Sequence, residues 1–167
     1  MKWDKDTIVL ALNIVITVFS GIGAYKSFRY FKKSKHITIY AQTNQALGEL
    51  GEMLKRLPDA LAATSNDKKG FNPEIAIRNI GKEMTAHLNE IMGAIPSDYS
   101  KEFRDLQKTE KFDLSKYINS FIDGSVIVEQ NGRKTLSRES FDTCQERLRI
   151  MQEFLKEKIS AETEKLK

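Results

Sequence analysis

The chain has 167 residues, with 27 Lys and Arg against 23 Asp and Glu, two histidines and one cysteine. Its net charge of +4 is concentrated at one end: residues 1–36 hold seven Lys/Arg and two Asp, whereas 37–167 hold 20 Lys/Arg and 21 Asp/Glu. The near-neutral portion argues against the phosphate-neutralising surface of a nucleic-acid binder, so no nucleic acid is expected as a partner, and a lone cysteine, Cys144, excludes an internal disulfide.

In chain order, the first element is Thr7–Tyr25 (TIVLALNIVITVFSGIGAY), nineteen residues without a charge. At 1.5 Å rise per residue they reach about 28 Å as a helix, enough for the hydrocarbon core of a bilayer. The reading is a single transmembrane helix. Met1–Asp6 sums to zero charge and a basic block follows the apolar stretch, which speaks for an anchor over a cleaved signal peptide. Lys26, Arg29, Lys32, Lys33 and Lys35 form that block, so the positive-inside rule places the N-terminus outside and the following domain in the cytoplasm, at the inner membrane if the cell is bacterial. Interleaved with Tyr25, Phe28, Tyr30 and Phe31, these cations read as an interfacial belt on anionic headgroups.

Within the span, Asn13, Thr17, Ser20, Gly21 and Ala24 share one face. Small and polar residues drive helix association in lipid, so this face predicts a homo-oligomer, with Asn13 meeting its copies or a narrow aqueous lumen. The alternative is a monomeric anchor with one tolerated Asn.

Two regions follow, an anchor over 1–36 and a helical domain over 37–167. Ile37–Leu57 predicts a helix, either continuous with the span or separate from it, whose seam is Tyr40, Thr43, Leu47, Leu50, Leu54 and Leu57. Asn44, Gly48 and Gly51 form a second face that suggests another backbone passing close by, and Pro58 is expected to stop the helix. Ser65–Gly70 is a solvated loop. Asn72 and Pro73 make an N-cap and N1 pair for a helix carrying Ile77, Ile80, Met84, Leu88, Ile91 and Ile95. His87 lies beside that stripe with no acidic or thiol cluster in sequence, so it is read as a packed or boundary histidine. Ser97–Asp123 predicts helix with a break near Thr109–Asp113. SVIVEQNGRKTL then sets β-branched residues about Asn131-Gly132, a hairpin signal. The last helix begins at Ser137 and buries Phe141, Cys144, Leu148, Met151, Leu155 and Ile159; its tail beyond Ser160 is expected to fray.

The expected fold is therefore mainly α: one N-terminal span and a bundle of four or five helices with one β-hairpin. No HExxH, CxxC, GxSxG, P-loop or GxGxxG occurs, so no catalytic residue, metal ligand or cofactor is predicted. The leading reading is a non-enzymatic, self-assembling membrane scaffold or pore-forming effector, whose partners are membrane lipids, further copies of the chain and, in a third reading, a soluble protein. In architecture it resembles the small one-span membrane-disrupting effectors of bacterial toxin and antiphage systems. Arg29 and His36, with six residues between them, give the runner-up. Their spacing resembles that of HEPN-type ribonucleases, small helical bundles, and implies a membrane-tethered ribonuclease; the match covers only these two residues.

Overall fold

The computed structural model describes the backbone of residues 5–64, 71–130 and 133–166, and their side chains apart from those of 5–15, 130, 133 and 134. The protein is mainly helical with one small antiparallel hairpin. Its elements are α1 (Lys5–Thr64), α2 (Pro73–Ala94), α3 (Ser100–Leu106), α4 (Leu114–Asp123), β1 (Ile127–Gln130), β2 (Arg133–Leu136) and α5 (Arg138–Leu166).

The second half of α1 is the axis of the bundle. It packs on α2 and α5, α4 packs on α2, and α3 on α5. The helix buries Ile39, Thr43, Ala46, Leu50, Met53, Leu57 and Ala60, a strict 4-3 alternation. This corrects the expected seam. Thr43, Leu50 and Leu57 belong to both, but the intervening positions shift back by one residue, leaving Leu47 and Leu54 half-buried on the flank and Tyr40 37 % exposed. The reason is that α1 meets two neighbours, so its apolar stripe is wider than a coiled-coil seam. Thr43 enters the core because its hydroxyl donates to the Ile39 carbonyl at 2.7 Å.

Pro58 does not stop α1, which runs to Thr64. A proline inside a helix removes one hydrogen bond and costs about 3 kcal/mol. Burial of Leu57, Ala60 and Ala63 around it offsets that loss, and Arg56 ties the same turn to Glu83 of α2 at 2.9 Å.

Helix α2 starts where the sequence places it. Asn72 Oδ1 accepts from the backbone N–H groups of Glu74 at 3.0 Å and Ile75 at 3.3 Å, and Pro73 occupies the first turn. The break between α3 and α4 is also where expected. Thr109 and Phe112 bond across it, and Asp113 caps α4 by accepting from the Lys116 N–H at 3.2 Å. Gly124 ends α4 at φ 83°, a left-handed conformation that favours glycine.

Within the chain, the close backbone approach does not fall at the glycines of α1. A Cβ built on Gly48 or Gly51 meets nothing within 4 Å, so no described backbone passes there. The close approach is at Gly81 of α2, where a Cβ would lie 2.6 Å from the Phe121 Cβ and 3.1 Å from the Ile122 backbone nitrogen. Strands β1 and β2 pair from Ile127 with Leu136 to Gln130 with Arg133, and β2 rests against α1. The Asn131-Gly132 turn and the Ser65–Gly70 loop lie outside the described residues.

Candidate functional site beneath a basic groove

The N-terminal part of α1 stands clear of the bundle: every residue from 16 to 35 is exposed. Phe19 is 70 % exposed, Tyr30 74 % and Phe31 71 %. Among the described residues no helix is long and apolar enough to cross a membrane. The side chains of residues 5–15, which include nine of the nineteen uncharged residues and among them Asn13, lie outside them. Of the face predicted to associate, Thr17, Ser20, Gly21 and Ala24 are described and exposed.

Contact with the bundle begins at Lys35 and His36. Lys35 Nζ lies 3.2 Å from Asp98 Oδ2, and both side chains remain exposed. Lys26, Arg29 and Lys33 line one shallow recess with Tyr30, and Arg29, Lys32, Lys33, His36 and Lys165 line the adjoining groove of about 630 Å³. Arg29, Lys32, Lys33 and His36 follow an i, i+3, i+4, i+7 pattern, so they share one face of α1. Lys165, from the last turn of α5, forms the opposite wall.

Beneath this groove sits Glu162, 1 % exposed. Its Oε2 accepts from His36 Nδ1 at 2.7 Å; its Oε1 accepts from the Tyr99 hydroxyl at 2.7 Å and from Lys165 Nζ at 2.6 Å. One carboxylate thus joins α1, the start of α3 and α5. Burial alone would raise its pKa, but the bonds from Lys165, Tyr99 and His36 outweigh it and hold the carboxyl down at about 2. Burial pushes the Tyr99 hydroxyl up to about 12, and the bond to the same carboxylate adds to it. Because a carboxylate only accepts, His36 Nδ1 carries the donated proton. Tyr99 is further held edge-on against Phe154 of α5, ring centroids 6.5 Å apart.

Sequence reasoning missed this centre. Glu162 lies in the tail expected to fray, yet α5 remains helical to Leu166. A signal did exist: Leu148, Met151, Leu155 and Glu162 keep the 3-4-7 spacing of the buried face, so the helix simply continues past its last apolar residue. Lys165 at i+3 completes the local pair.

The other polar sites are structural ties. His87 does meet a carboxylate, brought from α1: Nδ1 lies 2.7 Å from Glu49 Oε2, and both side chains remain partly exposed. Cys144 is fully buried, and burial pushes its thiol up to about 12, far from the thiolate that reactivity requires. Among the described residues no three His, Cys, Asp or Glu side chains gather as metal ligands. No family model, curated protein or solved structure matches the chain.

Proposed function

We propose that this chain is a membrane-anchored helical module whose α1 enters the bilayer and whose bundle sits at the headgroup layer. One observation carries the reading: large apolar side chains project from every side of the free part of α1. Ile16, Phe19, Ile22, Tyr25, Phe28 and Phe31 recur every three residues, so at 3.6 residues per turn each steps back by about 60° and the six encircle the axis. A single docking face cannot cover such a helix, whereas lipid can. The interleaved cations support it, each adding about 1 kcal/mol at an anionic surface.

Self-assembly is the second element of the proposal, giving an oligomeric scaffold or a ring of spans without catalysis. It rests on the Asn13, Thr17, Ser20, Gly21, Ala24 face; nothing of the same chain lies within 4 Å of a Cβ on Gly21, so a second helix backbone has room there. A ribonuclease is the competing reading, favoured by the shared groove of Arg29 and His36. Loss of RNA cleavage in Arg29→Ala or His36→Ala would support it, and a wild-type chain that cleaves no RNA removes it.

The test of the anchor is extraction. The full chain is expected to stay with membranes in alkaline carbonate and to leave them only in detergent; release by carbonate or by 1 M salt alone would overturn the anchored reading. In detergent, the wild type is expected to have a multiple of the mass found for Asn13→Leu, and a monomer in both cases would end the assembly element.

A further inference from the structure

We propose that the groove between α1 and the last turn of α5 is a specific site for a phosphomonoester group, presented by an anionic lipid headgroup. The lipid source rests on the anchored reading above; the phosphate chemistry does not.

Three observations converge on it. First, the charge that α1 brings is uncompensated, and Lys165 adds to it while sharing Glu162. Arg29, Lys32, Lys33 and Lys165 face one groove, while the described carboxylate at its base, Glu162, is already occupied by three donors. Among the described residues no ion-pair partner is found for Arg29, Lys32 or Lys33, although other surface cations of the bundle, such as Lys55, Lys156 and Lys158, have carboxylates nearby. Secondly, one wall of the groove and one of its donors are held in place. Glu162 fixes the His36 ring through Nδ1 and holds Lys165 Nζ, whose remaining protons are available to a ligand. A loose basic tail has no such support, and ordering costs of about 0.5–1.5 kcal/mol per long side chain are thereby avoided on binding. Thirdly, the depth is right. Arg29 follows Tyr25 by four residues, about 6 Å along the helix, which sets it in the headgroup layer of about 5–7 Å beyond a core of about 30 Å, with Lys33 one turn further out.

A phosphomonoester fits better than a phosphodiester. It carries up to two charges and three terminal oxygens, enough for the guanidinium of Arg29 and two ammonium groups at once. Glu162 acts here as a positioning residue, since it touches the donors and not the ligand.

The experiment measures lipid retention by the full chain, purified in neutral detergent, with short-chain phosphatidic acid, short-chain phosphatidylglycerol, glycerol 3-phosphate and inorganic phosphate as probes. Phosphatidic acid is expected to bind at least fivefold tighter than phosphatidylglycerol. Glycerol 3-phosphate should compete at higher concentration, and phosphatidic acid should outdo it if the lipid is the source. Equal affinity of the two soluble phosphates and phosphatidic acid would reassign the site to a free phosphate and overturn the lipid source; equal affinity of the two lipids would leave only diffuse attraction and overturn the site.

Arg29→Gln with Lys33→Gln, both on an exposed helix face, should abolish the preference without loss of fold. Glu162→Gln distinguishes positioning from charge. Removing a negative charge tightens anion binding if electrostatics alone act, whereas loss of positioning lowers the phosphatidic acid preference several-fold; a tightened preference would overturn the role of Glu162. Tighter binding of an RNA oligonucleotide than of either lipid would overturn the proposal in favour of a nucleic-acid surface. These readouts are taken in detergent, so they can fail while the carbonate extraction succeeds, and the reverse.

Discussion

Replacing Gly81 by alanine is expected to destabilise the bundle by about 1–2 kcal/mol, although the same change in a free helix stabilises by about 1 kcal/mol. The sign is decided by α4. A Cβ at this position would lie 2.6 Å from the Phe121 Cβ and 3.1 Å from the Ile122 backbone nitrogen, neither of which can rotate away. Overpacking of this kind costs about 1–3 kcal/mol, and here it acts between two helices that share the core residues Met84 and Phe121. Thermal denaturation followed by circular dichroism should show a fall of about 2–8 °C. Gly48→Ala is the matched control. Its Cβ meets open space, so the helix-propensity gain should appear undiminished as a small rise in Tm. A fall at Gly48 instead would mean that another copy of the chain packs on that face.

The second large effect is expected at Glu162. Glu162→Gln keeps an acceptor oxygen but removes the charge that gathers His36, Tyr99 and Lys165. Breaking a buried ion pair from one side costs about 3–5 kcal/mol, and the retained amide oxygen places this variant near the lower end. The pH dependence identifies the cause. The carboxyl sits at about 2 in the folded protein against an ordinary value of 4.5, so its contribution is complete above pH 4.5 and is lost as pH falls towards 2. A shift of that size corresponds to about 3 kcal/mol. Urea denaturation at pH 6, 4 and 2.5 should therefore show wild type and variant far apart at pH 6 and converging at pH 2.5. A gap that stays constant across this range would mean that the glutamine disturbs packing and that the charge contributes little.

Much of the architecture follows from local rules. Asn72 with Pro73 starts a helix because the side chain satisfies two orphan N–H groups and proline has none to lose. The break before Asp113 and the hairpin after Gly124 follow likewise from capping chemistry and a change of hydrophobic period. These features are set by residues a few positions apart, which is why they are legible in one dimension.

The features that went astray depend on partners distant in sequence. The seam of α1 shifts by one residue because two helices, α2 and α5, share its surface. Pro58 stays inside a helix because the core beyond it is worth more than one hydrogen bond. Glu162 is buried because His36, 126 residues away, and Tyr99 arrive to bind it. By itself the sequence determined where helices begin, where the charge lies and that residues 7–25 form an uncharged apolar stretch. Only the tertiary structure decided which glycine another helix crosses and which carboxylate organises the basic groove, since both depend on a close approach between chain segments that no local pattern encodes.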